Sequence, residues 1–252
     1  MKKKILILHT NMELGGAETS LLGLLWSLDY DRVSVDLFLY AHTGELLPLL
    51  PDAVRLLPEQ PAYRALCDPI RTVIRQGHPV VAGARLRAKL VTAVRNRKMH
   101  FRDYGHALKQ RTHAYAVRHL PRIGGDYDMA ISFIDPHWIM NRRTSAPVRL
   151  GWFHTDCALI TPDNPMEEKM WSECTHVVNV SESCKAAFDA VHPALTARSF
   201  VMENILAKRF VESRAEMPLP ADEMRRDGHI NLLSVGRFCE AKNFDNVPDI
   251  AR

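Results

Sequence analysis

The chain has 252 residues, 46% of them hydrophobic and 25% charged, with a net charge of +4. This excludes a disordered or low-complexity protein and supplies one large core or a core and a half. No run approaches the roughly 18 apolar residues of a membrane span, and the apolar stretch after Lys2, Lys3 and Lys4 is too short for a signal-peptide core, so a cytoplasmic protein is expected.

Ile5 to Leu8 is an unbroken aliphatic run, the pattern of a parallel strand buried on both faces, and Ala17, Leu21, Leu24, Leu25 and Leu28 then recur at helical spacing. Gly15 and Gly16 stand where that helix begins. Without Cβ atoms they let a ligand approach the backbone, and the free N–H groups of a first helical turn attract an anion, so they make either a phosphate seat or merely a tight connection. Val33 to Tyr40 alternates with period two and reads as the second strand; a short helix around Leu46 to Leu50 is ended by Pro51, and Val54 to Leu57 is a short third strand.

Pro69 to about Leu120 is helical but irregular, with apolar positions at Leu86, Leu90, Val94, Phe101, Leu108 and Tyr115 and breaks expected near Gly77-His78-Pro79 and Gly105. Between Ala62 and Arg122 there are 14 Lys or Arg against two acids, Asp68 and Asp103. Such a block faces an anionic partner, whether membrane, nucleic acid or phosphorylated substrate, or is a set of solvated helix faces. Five cysteines, an odd number with no Cys-x-x-Cys pair, argue against a disulfide framework or a structural zinc site.

After Gly124-Gly125, the stretches Met129 to Ile134 and Val148 to His154 read as central strands and His176 to Val180 as a further one. Ser181 is placed to cap a helix from Glu182 to Val191 that His192-Pro193 stops, and Phe200 to Met202 closes the sheet. Strands alternating with helices give an α/β fold with a doubly wound, mostly parallel sheet over residues 1–205. Residues 206–228, with Pro218 and Pro220 among charges, read as a linker. Residues 229–252 supply one strand, Ile230 to Val235, a polar turn and part of a helix, too little for a core, so a truncated second α/β domain is expected.

Taken in order, several segments resemble the retaining glycosyltransferases of family 4, whose GT-B architecture sets two Rossmann-like domains across a cleft. These are Gly15-Gly16-Ala17-Glu18 with Leu21 and Leu25, Arg149 to His154, Val180-Ser181-Glu182-Ser183-Cys184-Lys185 with Phe188, Met202-Glu203-Asn204-Ile205, and Leu233 to Arg237 with Lys242 and Phe244. The resemblance implies an N-terminal acceptor-side domain, the start of a donor-binding domain, and transfer of sugar from a UDP- or GDP-sugar to a glycan or lipid-linked acceptor in surface polysaccharide synthesis. No metal or other cofactor is expected. The family's paired-glutamate segment is absent, so this chain by itself is expected to be inactive. The alternative is a non-catalytic α/β binding module.

Charge building on the leaving diphosphate needs cations or oriented dipoles, which points to Gly15, Gly16, Arg237 and Lys242. The resemblance makes His154 a sugar-contacting catalytic histidine; a structural histidine is the bland reading. His9, Asn11, Asp135 and His137, after the ends of strands, are acceptor-side candidates. Asp126-Tyr127-Asp128 is a literal Asp-x-Asp, but it falls at the amino end of its strand, away from where ligands gather. The basic region 62–122 is expected to touch anionic membrane peripherally. Nucleic acid is not expected as a partner, and an oxidoreductase is disfavoured because no Gly-x-Gly-x-x-Gly follows Ile5 to Leu8.

Overall fold

The computed structural model describes residues 2–157, 160–206, 208–217, 228, 235–236 and 244–250. Its centre is a seven-stranded sheet, β1 Lys3–His9, β2 Val33–Leu39, β3 Val54–Leu56, β4 Met129–Ser132, β5 Val148–Phe153, β6 His176–Asn179 and β7 Ser199–Val201. The spatial order is β3-β2-β1-β4-β5-β6-β7 with every neighbouring pair parallel. Winding runs outward from β1 in one direction and from β4 in the other, so β1 and β4 flank the point where the order reverses.

Alternate residues of the strands feed two cores. Leu6, Leu8, Phe38 and Tyr40 point to one side, Ile7, Val35, Leu37 and Leu39 to the other. The second side is covered by helix α1, Gly16–Ser27, through Leu21, Leu24 and Leu25, and by Leu46 beside the 3-10 turn Leu47–Leu49. The first side carries α2 Pro61–Arg64, α3 Ile70–Arg75, α4 Pro79–Met99, α5 Tyr104–Ala116, α6 Trp138–Arg143, α7 Asn164–Ser172 and α8 Glu182–Val191. Helices on both faces are what a right-handed crossover demands once the winding reverses.

Local chemistry sets most boundaries. The Ser181 hydroxyl accepts the Cys184 N–H at 3.1 Å and opens α8, and the Asp103 carboxylate accepts the His106 N–H at 2.8 Å and opens α5. The expected break at Gly105 is therefore displaced: Gly105 lies inside α5, and the chain turns at His100, left-handed with φ 47°, through Asp103. The 21-residue α4 buries Val81, Ala82, Ala88 and Thr92 but leaves Leu86, Leu90 and Val94 on its outer face. At the amino edge of the sheet, Asp128 accepts from the Lys3 ammonium and the Lys4 N–H, both at 2.9 Å. Asp36 pairs with Arg55 and accepts the Tyr127 hydroxyl at 2.7 Å. The Asp-x-Asp run is thus part of a strand tie.

Residues 1–211 form one compact unit and residues 212–252 another. The expected strand Ile230 to Val235 falls largely outside the described residues. Among those described, no helix is long and apolar enough to cross a membrane.

Candidate functional site

The carboxyl ends of β1, β4 and β5 meet beside the reversal point. Leu8 of β1 is in register with Ser132 of β4, and Ser132 with Gly151 of β5, so the next residues, His9, Phe133 and His154 a little further on, come together. The ring of Phe133 lies 6.1 Å from that of His9 and 4.8 Å from that of His154, and His154 stacks over Trp152 at 6.2 Å. Burial lowers the His154 pKa to about 4, with the charge of His9 acting the same way, and it lowers His9 against the pull of Glu18. Both imidazoles are therefore uncharged at neutral pH. His9 Nδ1 and His154 Nε2 are buried without a hydrogen-bond partner among the described residues.

The turn before α1 differs from an open phosphate seat. Gly15 is the helix N-cap with extended backbone, and the Glu18 side chain folds back over it: a Cβ on Gly15 would lie 2.2 Å from Glu18 Oε2. The other carboxylate oxygen, Oε1, is 3.1 Å from His9 Nε2. Burial pushes the Glu18 pKa up, but hydrogen bonds from His9 and from its own backbone N–H outweigh this and hold it below the ordinary range. The space over Gly15 is held by the protein's own anion, whereas the space at Gly16 is open, with nothing within 4 Å of an added Cβ.

A second constellation, invisible in the sequence reading, lies between β4 and the helices. Asp135 is buried, and its Oδ2 accepts from Gln110 at 3.1 Å and lies 3.2 Å from His106 Nδ1. His106 Nε2 is 3.5 Å from Glu167 of α7, so one imidazole bridges two carboxylates. Against the burial that opposes charge, Glu167 and Asp135 raise the His106 pKa, while His106 and Lys109 outweigh burial and lower that of Asp135. The signal was present as His106, Gln110 and His113, spaced by four and three on one face of α5. Nearby, buried Arg111 is ion-paired with Asp163, and Arg95 reaches the same carboxylate at 3.3 Å.

His137, an acceptor-side candidate from the sequence, lies inside the fold. His137 is fully buried, 4.5 Å from the Trp171 ring, with both ring nitrogens unpartnered. It packs where only glycine fits at position 151, since a Cβ there would lie 2.9 Å from its Cδ2. Asp135 is buried behind α5, and its charge acts on His154. Asn11 remains accessible: with Thr10 it borders a cleft of about 430 Å³ closed on the other side by α3, α4 and α5, which bring Arg85, Lys89, Lys109 and His113 to it. Arg237 and Lys242 lie outside the described residues. Among the described residues no group of three His, Cys, Asp or Glu is arranged to hold a metal ion.

No family model matches the chain, and no curated protein matches its sequence. It is similar to solved structures of Anabaena Alr3699/HepE. For the complex with UDP-glucose the identity is 17% over 80% of this chain and 43% of that chain, with a TM-score of 0.41. For the complex with UDP and glucose it is 17% over 80% and 44%, with a TM-score of 0.42. The chain spans less than half the length of these neighbours.

Proposed function

We propose that the chain is the acceptor-side part of a retaining, family 4-like GT-B glycosyltransferase that moves a sugar from a UDP- or GDP-sugar to a glycan or lipid-linked acceptor in surface polysaccharide synthesis. In this reading residues 1–205 are the acceptor-side domain, 206–228 the linker and 229–252 the opening of the donor domain. One juxtaposition supports it: uncharged His9 and His154 meet around Phe133 at the reversal point of a parallel sheet, beside the glycine turn that opens α1. A neutral imidazole offers a sugar hydroxyl one donor or one acceptor, and at a pKa of about 4 His154 is a weak base. The acceptor proton therefore goes to the leaving phosphate rather than to His154. Gly15, Gly16, Arg237 and Lys242 receive the diphosphate, and Glu18 swings off Gly15 to admit it. Asn11, at the cleft, and His9, buried behind it and bonded to Glu18, are assigned to the acceptor side.

The test is transfer by the full protein supplied with UDP- and GDP-sugars, with the product's anomeric configuration read by NMR. Retained configuration and a fall of about 10²-fold or more in kcat for His154→Ala are expected. Inverted product would remove the retaining assignment, and transfer unaffected by His154→Ala would remove the site.

The same reading includes peripheral attachment to anionic membrane. Helix α4 has no acid and carries Arg87, Arg97 and Lys98 outside the cleft and the Asp163 ion pair, and Leu86, Leu90 and Val94, spaced by four, are 50%, 67% and 55% exposed. Apolar residues framed by cations are what an interfacial helix presents to a leaflet, with about 1 kcal/mol from each cation. Leu90→Glu should abolish co-sedimentation with phosphatidylglycerol vesicles; co-sedimentation indifferent to that change and to salt would rule the surface out.

A further inference from the structure

The cleft between the ends of β1 and β2 and helices α3, α4 and α5 collects positive charge that nothing in its wall offsets. We propose that it is an oxyanion site that seats a phosphoryl or diphosphoryl group, held by Arg85, Lys89 and Lys109 with the Thr10 hydroxyl and the Asn11 amide.

Arg85 is fixed for the task. One of its nitrogens, Nη1, donates to the carbonyls of Ala65 at 2.7 Å and Asp68 at 2.5 Å, which orients the guanidinium without neutralising it. Lys89 and Lys109 have no hydrogen-bond or ion-pair partner among the described residues, and no acid among those residues lines the cleft. Carboxylates behind the wall have partners of their own: Asp68 pairs with Arg64, Asp135 with His106 and Gln110, Glu18 with His9, and Asp103 accepts the His106 N–H, while the charge of Lys109 is felt by Asp135 and Glu18. Three cations around one space, with no acid in its wall, suit a doubly or triply charged phosphoryl or diphosphoryl group better than a single carboxylate.

A second observation is independent of the charges. His113 is 5% exposed, its Nδ1 has no partner among the described residues, and it forms part of the cleft wall. The Thr10 hydroxyl oxygen is likewise buried and unpartnered. Buried polar atoms left without partners at a cleft mark where a ligand's polar atoms go. Leu66, Ile70 and Leu108 supply an apolar floor, which lowers the local dielectric and strengthens each charge on the ligand. This inference rests on the transferase reading only for the bearer of the group, a phosphorylated or diphosphate-linked acceptor.

The exposed thiol of Cys67 lines the cleft and reports on it. Inorganic pyrophosphate should slow alkylation of Cys67 by a soluble maleimide while leaving that of Cys184 unchanged, with calorimetric binding at about millimolar affinity or tighter. Lys89→Ala and Lys109→Ala, both at partnerless residues whose loss leaves the fold intact by melting temperature, should each weaken it about tenfold or more. Arg97→Ala, which removes an equal charge from the same helix outside the cleft, should leave it unchanged. Phosphatidic acid vesicles that protect Cys67 where pyrophosphate does not would assign the group to a lipid headgroup. Absence of protection by either probe, or equal weakening by Arg97→Ala, overturns the site. Pyrophosphate binding without sugar transfer removes the transferase reading and keeps the cleft; sugar transfer with an acceptor KM unmoved by Lys109→Ala does the reverse.

Discussion

Gly15 and Gly16 look equivalent in the sequence and are opposite in space. With φ at −166° the Gly15 backbone is one that any residue adopts, so the need for glycine is the carboxylate of Glu18 lying where a Cβ would be. Gly15→Ala should push that flexible carboxylate aside, break its link to His9 and cost about 1.5–3 kcal/mol, the worth of one hydrogen bond to a charged group. Glu18→Ala should cost a similar amount, and the double variant little more than either, because both remove the same interaction. Gly16→Ala meets open space at the first helical residue and should be neutral or stabilise by about 0.4–1 kcal/mol. Urea unfolding of the four variants separates these outcomes. Gly44 is a stricter case: its φ is +115° and a Cβ would lie 2.0 Å from the Met12 carbonyl carbon, a backbone atom that cannot yield. Gly44→Ala should therefore destabilise by about 2 kcal/mol or more and loosen the loop that hydrogen-bonds Met12 to Thr43.

Helix α5 shows what one element contributes when its polar face is turned inward. Its N-cap is Asp103, its middle bears His106 and Gln110 against Asp135, and Arg111 reaches Asp163 at the entrance to α7. Arg111 is 1% exposed, so Arg111→Ala leaves a buried carboxylate with only Arg95 beside it and should cost about 3–5 kcal/mol in urea unfolding. Arg111→Met with Asp163→Leu should recover most of that loss, since a buried pair replaced by apolar bulk is near neutral. Within residues 104–116 the spacing of His106, Gln110 and His113 marks a polar face but does not say that it turns inward. A His, Gln and His stripe within a segment of 14 cations is, on local grounds, a solvated surface; only the end of β4, some 20 residues later, makes it interior. The strands were legible because aliphatic runs such as Ile5 to Leu8 have no other stable use, and the α8 start because Ser181 carries its own partner at Cys184. Helix α7 was not read from the sequence: Pro165 suits its first turn, but the Asp163 side chain makes no capping hydrogen bond. The burial of His137 was not legible, because adjacency to a strand end does not say whether a side chain turns to the cleft or to the core.

At the scale of the whole molecule, the doubly wound parallel sheet followed from the alternation of runs and helices, whereas its strand order and the electrostatics of the interior did not. Burial lowers the pKa of five imidazoles, His9, His113, His137, His154 and His192, to about 3 for His113 and His137 and about 4 for His154. His106 moves the other way, raised by Glu167 and Asp135 against burial. In the unfolded chain all six take up protons near pH 6.5. Each imidazole locked neutral by the fold thus binds fewer protons than its unfolded counterpart below pH 6.5, so stability is lost as the pH falls from there toward the folded pKa, at up to about 1.4 kcal/mol per pH unit per group. His106 contributes in the opposite sense, its stabilisation being complete below pH 6.5 and lost as the pH rises through its folded value. Five against one leaves a net fall on acidification, beginning well above the range where Asp135, Glu18 and Asp36, whose folded pKa values are lowered, add their own losses below about pH 4. Urea midpoints should therefore drop from pH 7 to pH 5, with a slope corresponding to several protons taken up on unfolding. His137→Phe, which removes one fully buried imidazole, should reduce that uptake by about one proton whatever it does to absolute stability. A midpoint that stays level between pH 7 and 5, or a slope unchanged by His137→Phe, would mean that these buried imidazoles titrate as they do in water and that the uncharged state of the His9 and His154 pair has another origin.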